Sequence, residues 1–249
     1  MPSASRSKPH RPPRPASRVR SRGRLVITID GPAGVGKSTV AKLLAHQLGL
    51  VYLDTGATYR ALAFEALAAG IDPHDEARLV RAAQRLQLTL RPLAGDGPLV
   101  LLDGRDVTRE IRTERVTACA AILAQHPRVR AALVRLQRRL ARGGRVVAEG
   151  RDTGSVVFPK APYKFFLTAR IGVRARRRQH ELQTLHGTSP SAVAIARQLQ
   201  VRDSLDRRRK IGPLIRPRGT VMVDTTSLRA REVVDRMVRC LPVSPSGRP

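Results

Sequence analysis

From residue 24 onward the chain alternates short apolar runs with stripes of apolar residues at helical spacing. Residues 25–30 (LVITID) are mostly apolar and rich in β-branched side chains. Gly31-Pro32 closes the run, which predicts a buried parallel strand ending in a turn. Val40, Leu43, Leu44 and Leu48 then recur at helical spacing from Lys37, and Gly49 stops the helix. A second short strand, LVYLD at 50–54, completes a βαβ unit whose crossover should be right-handed. Residues 56–86 are rich in Ala and Leu and predict helix, with a break near Asp72-Pro73. The runs at 87–91 and 99–102 flank a Gly/Pro-rich turn at 94–98 and read as an antiparallel hairpin. Antiparallel strands inside a βαβ chain imply an inserted lobe. A helix is expected over 127–142, closed by Gly143-Gly144, with further core strands at 146–148 and 163–167. A basic helical stretch at 171–207, interrupted at 186–190, precedes a last strand at 221–224. From Leu228 a final helix puts Val233, Val234, Met237 and Leu241 on one face.

The two ends depart from this pattern. Residues 1–23 hold Pro, Ser and basic residues, no acid and almost nothing to bury, which predicts a disordered basic tail. Residues 242–249 read as a flexible C-terminal tail. The 249-residue chain is long enough for one large α/β domain. With 41% apolar residues and no Trp, its core must be filled by Leu, Val, Ala and Ile. The 47 Lys and Arg against 19 Asp and Glu give a net charge of +28, a field that attracts anions without naming one. Cys119 and Cys240 stand alone, which suits a reducing compartment. No apolar run approaches the ~18 residues of a membrane span, and the start lacks an apolar signal segment. A soluble, cytoplasmic protein is therefore expected. The histidines show no HExxH pattern, so no permanent zinc site is expected.

The chemistry enters at the first strand–helix turn. Gly31-Pro32-Ala33-Gly34-Val35-Gly36-Lys37-Ser38 fits GxxxxGK[ST] position for position, with Thr39 next. Glycines let backbone N–H groups turn inward around a phosphate without Cβ clashes, and the helix from Lys37 adds the positive end of its dipole. Lys37 can reach the β- and γ-phosphates, and the Ser38 hydroxyl can ligate Mg²⁺. The loop predicts a nucleoside triphosphate as a ligand, with Mg²⁺ as its companion ion.

A phosphate loop alone does not separate a motor, a switch, a helicase or a small-molecule kinase. Three further segments bear on that choice. Asp54-Thr55-Gly56-Ala57-Thr58-Tyr59-Arg60 follows the second strand, where the carboxyl ends of parallel strands line a ligand crevice. Glu149-Gly150-Arg151-Asp152 follows the strand at 146–148, and Arg202, Asp206 and Arg209 fall on about one helical face. Moving a phosphoryl group between two polyanions needs charge neutralisation and alignment, and little covalent work from the protein. Several arginines converging on the loop would supply that.

These segments, with GRDVTREIRTERV, HPRVR, EGRDTGSVVFPKAPYKFFL and RDSLDRRR, make the chain resemble the bacterial cytidylate kinase family from about residue 25 to 238. The resemblance implies an α/β P-loop fold with a five-stranded parallel core sheet flanked by helices. It implies one domain over 24–241, with a monophosphate-binding insert at about 56–142 and a short helical lid at about 171–200. It also implies phosphoryl transfer from ATP to CMP and dCMP. By resemblance, Arg60 and Arg151 grip the CMP phosphate beside Tyr59, and Arg130 and Asp152 read the cytosine edge with Thr55 assisting. Arg202 and Asp206 contact the sugar, and Arg209 neutralises the transferring phosphoryl group. Lys37, Arg151, Arg202 and Arg209 form the expected catalytic set, and Glu149 holds Mg²⁺ through water. Some relatives carry a hydroxyl where this chain has Ala121, a side chain that neither donates nor accepts. The basic run at 174–178 is expected to serve the lid, since it has no aromatics for base stacking. A monomer without a stable protein partner is expected. The alternatives are a kinase of another small acceptor, such as shikimate, or a P-loop ATPase that binds nucleic acid.

Overall fold

The computed structural model describes residues 25–91 and 99–241. The expected tails at 1–23 and 242–249, and the turn at 94–98, lie outside the described residues. Five strands form one parallel sheet: β1 (Leu25–Asp30), β2 (Val51–Asp54), β6 (Arg145–Gly150), β7 (Tyr163–Thr168) and β8 (Val221–Asp224). Their order is β2-β6-β1-β7-β8. β1 pairs in parallel with β6 on one side and β7 on the other, so the chain reverses its direction of winding across β1. A ligand crevice is expected at the carboxyl ends of strands around such a switch point.

Helix α1 (Lys37–Leu48) and helix α8 (Ala230–Arg239) cover one face of the sheet. Ile27, Ile29, Val147, Phe165 and Leu167 meet Val40 and Leu44 of α1 and Val233, Val234 and Met237 of α8. Each such side chain, fully buried, contributes about 1.5–3 kcal/mol. On the other face Val26, Leu53, Val146 and Ala148 form a smaller cluster. α1 ends where Gly49 adopts φ 62 and returns its N–H to the carbonyls of Ala45 and His46.

Between β2 and β6 lie helices α2 (Thr55–Ala68), α3 (Glu76–Arg85), α4 (Glu114–Leu123) and α5 (Pro127–Leu140). A small antiparallel sheet of β3 (Leu88–Arg91), β4 (Leu99–Leu102) and β5 (Arg105–Asp106) accompanies them. Their apolar faces close on a cluster of their own, with Leu62, Leu79, Ile111, Leu123 and Leu133 fully buried. The sequence pattern misses β5 and α4. β5 has only two residues, too few for a period, yet its signal was present as the Asp103-Gly104 dipeptide. Both residues have positive φ, 49 and 82, as a two-residue hairpin turn of the primed kind requires.

Helices α6 (Ile171–His186) and α7 (Ala192–Arg208) form a pair beyond β7, broken where the sequence places the break. Ala175, Leu182, Ile195 and Leu199 bury one another and reach Ala33 in the phosphate loop. No helix among the described residues is long and apolar enough to cross a membrane.

Candidate active site

The loop from Gly31 to Ser38 leaves the carboxyl end of β1 and enters α1. At Gly31 φ is 147, and a Cβ there would lie 2.3 Å from the carbonyl oxygen of Leu167, so no other residue fits the turn. Gly34 and Gly36 also have positive φ, 77 and 89, and the α1 N-terminus has no side-chain cap. Its first-turn N–H groups therefore stand ready for an anion. Val35 turns into the core, whereas Ser38 and Thr39 are exposed on the first turn of α1.

Lys37 is buried, and its Nζ donates to the Pro32 carbonyl at 2.7 Å. Burial first, and then the Arg151 charge, lower its pKa to about 7. Arg202, which solvent still reaches through the open cleft, is lowered to about 10 by desolvation and by Arg151. Such depression is expected where cations are buried and crowded together.

The acids in this cleft each have a cationic or hydroxyl partner. Glu149 Oε1 accepts from Ser38 Oγ at 2.7 Å and from the Tyr52 hydroxyl at 3.3 Å. Burial and the nearby Asp54 push its carboxyl up. Asp54 caps α2 by accepting from Ala57 N–H at 2.9 Å, and it pairs with Arg60 at 2.7 Å. Burial would raise Asp54, but Arg60 and Arg112 outweigh it and hold the group below the usual carboxylate range. Arg60 Nε is buried without a hydrogen-bond partner among the described residues, a donor left over for a ligand.

Arg151 Nε donates to Asp206 at 2.8 Å, and Asp206 also pairs with Arg209. Arg130 pairs with Asp152 and lies over the Tyr59 ring, 5.8 Å from its centroid. Burial raises the Asp152 carboxyl against the pull of Arg130. Lys37 feels the charges of Glu149, Arg151 and Arg202, and Arg209 those of Asp206, Arg130, Tyr59 and Arg151. The Ser38–Glu149 and Arg151–Asp206 bonds thus bring the phosphate loop, the 149–152 segment and the end of α7 side by side.

The Thr55 hydroxyl donates to the Glu149 carbonyl at 2.7 Å, so it ties α2 to the end of β6 and is not simply turned toward a ligand. A Cβ on Gly150 would lie 2.3 Å from that hydroxyl, which explains the glycine after Glu149. Within the basic run at 174–178, Arg174 and Arg177 turn inward. Arg174 pairs with Asp203, and Arg177 donates to Thr225. Ala121 is exposed on α4.

Sequence reasoning missed Asp30, Arg174 and Asp203. Asp30 ends β1 and accepts from Thr153 N–H, Thr153 Oγ1 and Gly154 N–H at 2.8, 2.7 and 2.8 Å. It thereby pins the chain just after Asp152 to the strand that leads into the phosphate loop. An acid ending an otherwise apolar strand was a usable signal for it.

Comparison with known proteins gives a family model described as Cytidylate kinase, matched over residues 27–242. A cytidylate kinase from Caldanaerobacter subterraneus subsp. tengcongensis is 45% identical over 89% of this chain and 96% of its own length. One from Geobacillus kaustophilus is 46% identical over 86% of this chain and 95% of its own. One from Symbiobacterium thermophilum is 43% identical over the same shares.

Proposed function

Because the chain belongs to the cytidylate kinase family, we propose that its cleft moves the γ-phosphoryl group of ATP to CMP and to dCMP. The products are ADP and CDP or dCDP. The ATP phosphates lie in the loop from Gly31 to Thr39, against its backbone N–H groups, and Lys37 leaves the Pro32 carbonyl to reach the β- and γ-phosphates.

The CMP phosphate is gripped by Arg60 and Arg151, whose guanidinium forks suit phosphate oxygens. Arg130 and Asp152, already paired with each other, present a donor and an acceptor to the cytosine edge. Tyr59 lies against that pair. Arg202 and Asp206 contact the sugar, and Arg209 offsets charge on the transferring group. Closure of the insert, about 56–142, and the lid, about 171–200, aligns the CMP phosphate oxygen with the γ-phosphorus and excludes water. A phosphate oxygen is already anionic at neutral pH, so the step needs no general base.

Mg²⁺ fits the donors present. Ser38 Oγ and the Glu149 carboxylate are hard oxygen groups within 2.7 Å of each other, and Ser38 would ligate the ion while Glu149 holds it through water. ATP phosphates would supply further oxygen ligands to the ion. When bound, the ion neutralises phosphate charge.

The observation that carries this reading is the gathering of arginines beside the phosphate loop, with Ser38 bonded to Glu149, Arg60 to Asp54 and Arg151 to Asp206. A coupled assay of ADP release across CMP, dCMP, UMP, AMP, GMP and shikimate tests it. CMP and dCMP should be turned over best. A preference for AMP, GMP or shikimate contradicts it, as does ATP hydrolysis that ignores CMP and responds to DNA.

A further inference from the structure

The peptides around Ala33 are held from outside the phosphate loop. Asp203 Oδ1 accepts from Ala33 N–H at 3.3 Å, and Arg174 Nη1 donates to the Ala33 carbonyl at 3.1 Å. The same Nη1 pairs with Asp203 Oδ2 at 2.6 Å. Both side chains are buried, Asp203 at 2% exposure and Arg174 at 7%. The approach is close: a Cβ on Gly34 would lie 3.1 Å from both Arg174 Cβ and the Arg174 carbonyl oxygen.

A trans peptide points its C=O and N–H in opposite directions. When Arg174 draws the Ala33 carbonyl outward, it turns the Gly34 N–H toward the interior of the loop, where a phosphate would sit. When Asp203 draws the Ala33 N–H outward, it turns the Pro32 carbonyl the other way. That carbonyl is the one that receives Lys37 Nζ at 2.7 Å. One ion pair therefore sets two peptide planes and, through them, one backbone donor and the resting place of the lysine.

Joining α6 to α7 would not require charges. The two helices already share Ala175, Leu182, Ile195 and Leu199, and a buried ion pair contributes little that well-packed apolar side chains could not. Apolar side chains cannot, however, hold both polar ends of a loop residue. Asp203 also sits on the turn of α7 that carries Arg202 and Asp206, the latter paired with Arg151.

We infer that Asp203 and Arg174 are positioning residues for ATP, clamping the Ala33 peptides so that the loop is pre-formed for phosphate. This rests on the reading of residues 31–38 as the ATP site. The test compares wild type, Asp203→Asn and the double variant Arg174→Met/Asp203→Leu. The readouts are thermal stability, calorimetric affinity for ATP without acceptor, and KM for CMP at saturating ATP.

The double variant should bind ATP about tenfold more weakly, the worth of one or two hydrogen bonds, with its melting temperature lowered because the Ala33 N–H and carbonyl lose these partners. Its KM for CMP should stay within about twofold of wild type. Asp203→Asn, which keeps the shape and one acceptor, should weaken ATP several-fold and also spare KM for CMP. This arm decides the matter if the double variant does not fold. Wild-type ATP affinity in Asp203→Asn, or in a stable double variant, overturns the clamp. Failure of wild type itself to bind ATP would instead remove the reading on which the clamp rests.

Discussion

Lys37 shows how burial and neighbouring charge act on a single cation. Its pKa of about 7 lies below the ordinary 10.5, because it is buried and faces Arg151. Between those two values the unfolded chain binds the extra proton, so stability contributed through this residue rises with pH from about 7 to 10. Lys37→Met removes that slope. In urea, the variant's midpoint should exceed that of wild type most near pH 7, with the difference shrinking toward pH 10. A difference independent of pH would show that Lys37 is not so perturbed. Arg151 is the other pivot, reaching Asp206 while lying near Lys37 and Arg202. Arg151→Ala should lower kcat/KM for CMP by about 10²–10³ with little change in melting temperature, as loss of a charge-stabilising donor does elsewhere. At this scale the sequence was readable where spacing encodes chemistry, as in Gly31, Lys37 and Ser38. It was unreadable for Arg174 and Asp203, since nothing local separates an inward arginine from its solvated neighbours. Only the pairing of α6 with α7 turns it inward.

Among the elements, the β1–loop–α1 unit depends on close backbone approach. The missing Cβ at Gly31 leaves room for the Leu167 carbonyl of β7, an atom that cannot move without disturbing the sheet. Gly31→Ala should therefore destabilise by about 2 kcal/mol or more, seen as a melting temperature lowered by about 4 °C or more. An unchanged melting temperature would mean that the turn can relax away from β7. The βαβ unit, the α2/α3 break and the α6/α7 break were all legible because helical and strand periods change at Gly49, Pro73 and 186–190. The lateral order of the strands was not legible from periodicity, since every one of them reads as a similar short apolar run. The resemblance supplied the five-stranded sheet. β5 is too short to carry a period, whereas α4 carries one in Val116, Cys119, Ala120 and Leu123 that the sequence reading passed over.

Across the whole molecule, the +28 charge is spread widely, but Lys37, Arg60, Arg151, Arg202 and Arg209 gather where β1, β2, β6 and α7 end. Asp54, Glu149, Asp152 and Asp206 balance those cations in the free protein and keep the cleft from repelling itself apart. The arrangement makes sense if two anionic nucleotides share the cleft, one on the phosphate loop and one against Arg60, Arg130 and Arg151. The most direct measurement is the affinity of cytidine and adenosine joined 5′ to 5′ through a chain of five phosphates. Set beside ATP and CMP alone, such a ligand occupies both places at once and should bind at least about 10²-fold more tightly than either. Binding no tighter than that of ATP would contradict a single cleft that lays the two nucleotides end to end.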